Sequence, residues 1–318
     1  MMRYLSLLVF IFGCTSHSDE GKFGPLPDKQ LHAGYWTPPD TSRIPHSPEG
    51  MLIRYGRELI ANTSFYLGPQ GKVAALSNGM NCQNCHLDAG TRPWGNNYSG
   101  VFSTYPKYRD RSGTIESIHR RVNDCLLRSL NGNAALDSTS REMQAIYAYI
   151  RWLGQGVPKG LRPRGAGISD IPYLFRAADT VNGQIVYKEK CARCHGPEGT
   201  GVWSTDSNRY TYPPLWGPHS FNTGAGLFRL SRLAGYVRDN MPFGASHSAP
   251  QLTDMEAWDV AAFINSRPRP QKTFTGDWPD ITRKPFDHPF GPYADSFPES
   301  QHKYGPFAPI LAFPRLLF

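Results

Sequence analysis

Two five-residue runs constrain this chain more than any other feature. Cys82-Gln-Asn-Cys85-His86 and Cys191-Ala-Arg-Cys194-His195 both read C-x-x-C-H. That spacing is the attachment signature of c-type haem. Two thiols add to the haem vinyl groups, and the next residue offers an imidazole to the iron. A zinc site built from four thiolates needs no histidine directly after each pair. A thioredoxin-like C-x-x-C occurs once, in a strand-to-helix setting. The chain is therefore expected to carry two covalently bound haem c groups in two small, mainly α-helical haem domains.

The start of the chain sets the compartment. Arg3, an apolar run from Leu5 to Phe12 and a small residue before Cys14 read as a short signal peptide over residues 1–13. The run is too short to remain as a spanning helix, and no second run is long enough to cross a bilayer. Ile-Phe-Gly-Cys14 resembles a lipoprotein cleavage box, so Cys14 is the expected lipid anchor of a periplasmic, membrane-attached protein. An ordinary signal peptide cut a few residues later is the alternative. The net charge of +8 suits a membrane surface, an acidic redox partner or an anionic substrate. There is no nucleic-acid-binding motif.

An internal repeat organises the rest. Residues 14–46 read as a tether and surface arm, 47–160 as a first cytochrome c unit, 161–270 as a second, and 271–318 as a strap. Ser47-Pro48 reads as a helix start, with Leu52, Tyr55, Leu59 and Ile60 on one face. Thr139…Glu142 and Thr253…Glu256 have capping-box spacing ahead of amphipathic helices that stop at Gly154 and Pro268. The stripes are Met143, Ile146, Tyr147 and Ile150 in one, and Ala257, Val260, Ala261 and Ile264 in the other. Residues 154–167 read as the linker. From Pro268 onward the 51 residues hold ten prolines and ten aromatics. That is too aromatic for a disordered tail, so an irregular strap packed on one or both units is expected.

Each haem iron has a second axial position. In the second unit Met241, shortly before the closing helix, is the candidate, with Met255 as competitor. Thioether ligation raises an iron's potential. The first unit has no methionine between His86 and its closing helix, and Cys125 stands in the equivalent place. His119 is a rival, and an open site is the third possibility. Arginines at 120, 121 and 128 favour a stabilised thiolate at Cys125. A thiolate ligand lowers the potential, so electrons would run from the first haem to the second.

Arg121-Val-Asn-Asp-Cys125, Arg128-Ser129-Leu-Asn-Gly132 and the tail segments Gly291-Pro-Tyr-Ala-Asp295 and Gln301-His-Lys-Tyr-Gly-Pro-Phe307 resemble the dihaem thiosulfate dehydrogenases. The likeness runs over residues 50 to 312. It implies two cytochrome c domains and the joining of two thiosulfates into tetrathionate, with electrons passed to a soluble or membrane-bound c-type cytochrome. It places the axial pairs at His86 with Cys125 and His195 with Met241. It places a substrate pocket at Arg111, Arg121 and Ser129 around Cys125. Some members carry a lysine before the methionine, where this chain has Asn240. In the expected chemistry Cys125 leaves the iron, bonds the sulfane sulfur of one thiosulfate and is displaced by the second.

Competing readings are a tetrathionate reductase running the couple in reverse, and a non-catalytic dihaem electron carrier. A sulfur-carrier cytochrome that needs a partner protein and a dihaem peroxidase are more distant.

Overall fold

The computed structural model describes residues 35–205 and 208–313. The signal peptide, Cys14 and residues 15–34 of the expected arm lie outside the described residues.

Six long helices carry the fold: α1 (Pro48–Ala61), α2 (Ile118–Arg128), α3 (Arg141–Gly154), α4 (Thr180–Lys190), α5 (Leu230–Asn240) and α6 (Asp254–Ser266). Two small antiparallel hairpins accompany them, β1–β2 (Lys107–Arg109 with Thr114–Glu116) and β3–β4 (Val202–Ser204 with Arg209–Tyr212). No helix among the described residues is long and apolar enough to cross a membrane.

The repeat read from the sequence is a repeat of packing. In the first unit α1 crosses α3 at Gly56, where an added Cβ would lie 1.9 Å from the Ala145 carbonyl oxygen. In the second, α4 crosses α6 at Gly183, where a Cβ would lie 2.0 Å from the Asp259 carbonyl oxygen. In both units the backbones touch because one residue at the crossing lacks a side chain. Around the first crossing Leu59, Ile60, Met143, Ile146, Ile150 and Leu153 are buried. Around the second, Tyr187, Leu230, Ala257, Trp258, Val260, Ala261 and Ile264 are buried. Fully burying a large apolar side chain is worth about 1.5–3 kcal/mol, so each unit has a core of its own.

The helix caps agree with the sequence at two of three places. The Ser47 side chain accepts from Gly50 N ahead of Pro48, and Thr253 with Glu256 forms a full capping box. At the third, the expected Thr139–Glu142 box is replaced. Ser140 is the cap, accepting from Met143 N. Thr139 bonds Asp137, and Glu142 accepts from the Tyr55 hydroxyl of α1 at 2.9 Å. A tertiary partner took the carboxylate that local geometry would have used.

The units interlock. Ser64 Oγ of the first donates to Asn208 O of the second hairpin at 2.7 Å, and Arg209 bonds the Asn62 side chain. The linker runs along the first unit, where Gly165 O accepts from Trp94 N at 2.8 Å and Gly167 O from Asn96 N at 2.9 Å.

The C-terminal strap binds both units. Phe307 and Ile310 complete the second core. Buried Asp287 pairs with Arg229 and accepts from Ser231 N and Oγ. Across the other unit, Trp278 N donates to Arg111 O at 2.6 Å, and Asp277 grips Arg128 with two bonds of 2.7 Å. His288 pins the turn between these anchors. Its Nε2 accepts from Trp278 Nε1 at 3.2 Å, while Nδ1 faces Phe290 O. That pattern requires the neutral ring. Burial first, and the neighbouring Lys284 charge next, push its pKa down to about 3; Arg111 and Arg229 add to the effect.

Two outcomes follow from this packing. Gly183→Ala should cost at least the 1–3 kcal/mol roughly typical of overpacked cores, because the obstacle is a backbone carbonyl. Denaturant unfolding of the haem-loaded protein checks it, and an unchanged midpoint would contradict the crossing. For His288 the folded pKa lies below the unfolded value of about 6.5. Its contribution is therefore complete above that pH and is lost as pH falls towards 3, by up to about 1.4 kcal/mol per pH unit. Hydrogen-exchange protection of residues 277–290 should drop across that window, and His288→Asn should flatten the dependence.

Candidate active site

A Ser117 cap starts α2, its hydroxyl accepting from Arg120 N at 3.2 Å. From there the helical repeat decides which side chains share a face. Arg121, Cys125 and Arg128 follow at intervals of four and three, and Ser129 closes the helix, its N–H bonded to Cys125 O at 2.8 Å. Their common side opens into a cavity of about 220 Å³. The hairpin β1–β2 and its turn add Arg109 and Arg111. The second unit adds Arg229, Arg232 and the apolar wall of Ile168, Phe221 and Leu227.

Among the described residues six arginines thus line one small space, with Asp124 the only carboxylate in its wall. Four are already paired. Arg128 is held by Asp277 and Asp124, Arg229 by Asp287, Arg232 by Asp170 and Arg109 by Glu116 at 3.8 Å. Arg111 and Arg121 have no carboxylate within ion-pair distance among the described residues. Arg111 donates through one Nη to Gly224 O at 2.9 Å and lies 5.5 Å over the Trp278 ring. Its Nε is buried with no partner. Burial first, and the charge of Arg128 next, lower its pKa to about 10. Arg121 is shifted the other way, raised above all by charge on Cys125 one turn along the helix.

The sequence-expected residues Arg111, Arg121, Cys125 and Ser129 are therefore together in one cavity wall. Arg109, Arg229 and Arg232 were not anticipated as members. Arg128, expected beside Cys125, is in the wall, whereas Arg120, expected there too, is not and lies 4.0 Å from Glu116. Arg229 and Arg232 arrive from another unit and leave no local signal. His119 is not part of the wall; its ring stacks on Tyr147 at 4.8 Å.

The arginine cavity opens beside a larger one of about 320 Å³, and Cys85, His86, Arg121, Cys125 and Ser129 border both. Its walls otherwise include Ile60, Tyr98, Val122, Leu126, Ile146 and Ile150. His86 Nδ1 meets Asn96 O at 2.5 Å, and the ring stacks on Tyr98 at 4.6 Å. Such a bond fixes the tautomer and leaves Nε2 free for a metal. Burial pushes His86 down to about 4, so the ring is neutral at pH 7. It pushes the Cys82 and Cys85 thiols up, to about 11 and 12.

The second unit has a matching cavity of about 330 Å³, with Cys191, Cys194, His195 and Met241 in its wall. His195 Nδ1 meets Pro213 O at 2.8 Å, and burial again lowers its pKa. Met255 is 56% exposed on α6 and takes no part. The Asn240 side chain is buried beside Met241 and donates to Trp94 O and Tyr236 O.

Both cavities fit a haem c on the chemistry of their donors: a thiol pair, an oriented neutral imidazole, a sulfur-bearing side chain and an apolar lining. Among the described residues no three His, Cys, Asp or Glu side chains converge as a metal site. Cys85 borders both cavities. Tyr236 of α5 donates to Asn84 O, inside the first C-x-x-C-H, at 2.8 Å. The two cofactor sites are neighbours.

The comparisons with known proteins agree with this layout. Residues 72–158 match the family model "SoxA/TsdA, cytochrome c domain", and residues 180–268 match "Cytochrome c". The chain is 39% identical over 239 residues to a thiosulfate dehydrogenase of Allochromatium vinosum, covering 74% of this chain and 84% of that one. It is 34% identical over 253 residues to the enzyme of the same name from Stutzerimonas stutzeri, covering 80% and 79%. The solved thiosulfate dehydrogenase TsdBA of Marichromatium purpuratum, in its as-isolated form, superposes with a TM-score of 0.69 at 32% identity. That alignment covers 76% of this chain and 51% of the TsdBA chain, so this protein spans about half of TsdBA. With its tandem cytochrome c domains and these relatives, the chain belongs to the thiosulfate dehydrogenase family.

Proposed function

We propose that the protein oxidises two thiosulfates to tetrathionate at Cys125 and passes the two electrons to an external c-type cytochrome. The observation that carries this is the pairing pattern of the six arginines. Among the described residues Arg111 and Arg121 are the two of the six without a carboxylate partner, and both face the cavity that Cys125 borders. Two unneutralised guanidinium groups beside a thiol fit a small dianion with a sulfur end. Each charge-assisted hydrogen bond to a sulfonate oxygen is worth roughly 1.5–3 kcal/mol. Ser129 is a further donor in reach of the same space.

The cofactor assignment is part of the proposal. Cys82 and Cys85 would hold one haem c, with His86 and Cys125 offering donors to its iron. Cys191 and Cys194 would hold the other, with His195 and Met241 as donors. The haems supply one-electron acceptors, the thiolate-ligated one at lower potential and the thioether-ligated one at higher.

The chain's own residues then act in sequence. Arg121, one helical turn from Cys125, stabilises the thiolate and with Arg111 orients the sulfonate outward. The thiolate sulfur bonds the sulfane sulfur of the first thiosulfate, giving Cys–S–S–SO3⁻ and releasing two electrons. The sulfane sulfur of the second thiosulfate attacks the bonded sulfane atom. The cysteine thiolate departs and tetrathionate forms, so atoms and charge balance without a proton. Apolar Ile168, Phe221 and Leu227 limit water at the reacting sulfurs. The neighbouring position of the two haem sites supports electron flow from the first to the second. Buried Asn240 leaves no amine at the position next to Met241, and the Lys190 of the same cavity wall is held by Glu256 at 2.8 Å.

Export to the periplasm, with lipidation of Cys14, completes the reading and rests on the leader sequence alone. The reverse reaction uses the same residues, and no observation favours it.

Cys125→Ser should cut tetrathionate formation by at least about 10³-fold, as expected when a covalent nucleophile is removed, with both haems still attached. Activity near wild type would refute the mechanism. Arg111→Gln should chiefly raise the half-saturating thiosulfate concentration, by roughly 10-fold or more for a lost charge-assisted contact. Met241→Leu should lower the potential of one haem and leave the other unchanged, as measured by redox titration. Two unshifted potentials would remove Met241 as a ligand.

A further inference from the structure

Beyond the arginine cavity lies a second polar cavity of about 390 Å³, roofed by the strap. A water occupies about 30 Å³ of liquid, so this space admits a multi-atom anion with some of its hydration. It shares Arg111, Ala225 and Arg229 with the arginine cavity. The two are adjoining chambers with a guanidinium between them.

The charges of the outer chamber are unbalanced. Lys284 is 8% exposed and faces the cavity. Its Nζ donates to Phe290 O at 2.8 Å and Pro292 O at 3.0 Å. An ammonium has three donors, and no carboxylate lies within ion-pair distance of this one among the described residues. Arg111 contributes its buried, unbonded Nε. Lys272 is held by the Gly132 and Leu127 carbonyls, again with no carboxylate partner among the described residues. The one carboxylate that the described residues bring to the wall, Asp277, has both oxygens engaged by Arg128. His288 is occupied by Trp278 and Phe290. A buried cation without a counter-ion is unfavourable, and low-dielectric walls of Phe228, Phe274 and Trp278 strengthen its pull on an anion.

We propose that the chamber between the strap and residues 223–229 is a second oxyanion site, holding a thiosulfate dianion through Lys284 and Arg111 before it reaches Cys125. The inference rests on the thiosulfate reading and deepens it. The reaction consumes two dianions at one sulfur, and a single small cavity cannot hold both without strong repulsion. A waiting position one guanidinium away separates them until the first has bonded.

The test has a structural and a kinetic arm. Crystals of the haem-loaded wild type and of Lys284→Gln are soaked in selenate, a tetrahedral dianion visible by anomalous scattering. Glutamine keeps a donor for the strap carbonyls and removes the charge. Thiosulfate turnover of both proteins is then measured with ferricyanide. The expected result is selenate between Lys284 and Arg111 in wild type and none there in the variant. Half-saturating thiosulfate should rise at least tenfold in the variant, with the maximal rate and haem spectra retained. Selenate confined to the Cys125 cavity, or absent, overturns the site. Selenate in the chamber with unchanged kinetics marks an adventitious ion only and overturns its role. A variant that fails to fold leaves the wild-type soak to decide. A wild type that makes no tetrathionate refutes the thiosulfate reading itself, while the soak still reports on the anion site.

Discussion

Six guanidinium groups around a cavity of about 220 Å³ repel one another, and much of the surrounding structure exists to hold them there. Two unit charges 4 Å apart interact by about 4 kcal/mol at an effective dielectric of about 20. An unbraced cluster would splay into solvent. The braces are carboxylates: half-buried Asp277 on Arg128, and buried Asp287 on Arg229 and Glu116 beside Arg109. Two of the three come from the strap. Its role is therefore more than cover for apolar surface. It fixes the positions of arginines contributed by two different units, and Trp278 holds the Arg111 backbone and ring face besides.

The bracing is selective. It neutralises four arginines and leaves Arg111 and Arg121. In the proposed function those two carry the charge offered to the substrate. Arg121 sits one turn before Cys125 on α2, so a single helix would couple the anion's binding to the state of the sulfur. The units meet at the same place: Cys85 borders both cofactor cavities, and the second unit walls the arginine cavity. In the proposed reaction, substrate binding, sulfur chemistry and the onward electron path share one interface, which gives a reason for two small cytochrome units to be interlocked rather than merely strung together.

Much of this was legible in the sequence because it is local. The C-x-x-C-H runs, the Ser47-Pro48 start, the Thr253–Glu256 box and the apolar stripes depend on residues within a few positions of each other. The place of Cys125 followed from the repeat, and the family likeness supplied Arg111, Arg121 and Ser129. What escaped was long-range. Glu142 left its expected cap for Tyr55 of α1. The glycines at the two helix crossings look unremarkable in sequence, since only the partner backbone makes them necessary. Arg229 and Arg232 reach the cavity from over a hundred residues away. Density of proline and aromatics indicated an ordered strap, but not that Asp277 and Asp287 within it would brace arginines of both units.

In the proposed mechanism Cys125 itself carries the first thiosulfate while Arg111 and Arg121 hold its sulfonate. Peptide mass spectrometry of the haem-loaded protein, oxidised with ferricyanide in the presence of one equivalent of thiosulfate, addresses it directly. The Cys125 peptide should gain the mass of one thiosulfate, and a second equivalent should remove it as tetrathionate appears. Tetrathionate formed while the Cys125 peptide stays unmodified throughout would contradict it.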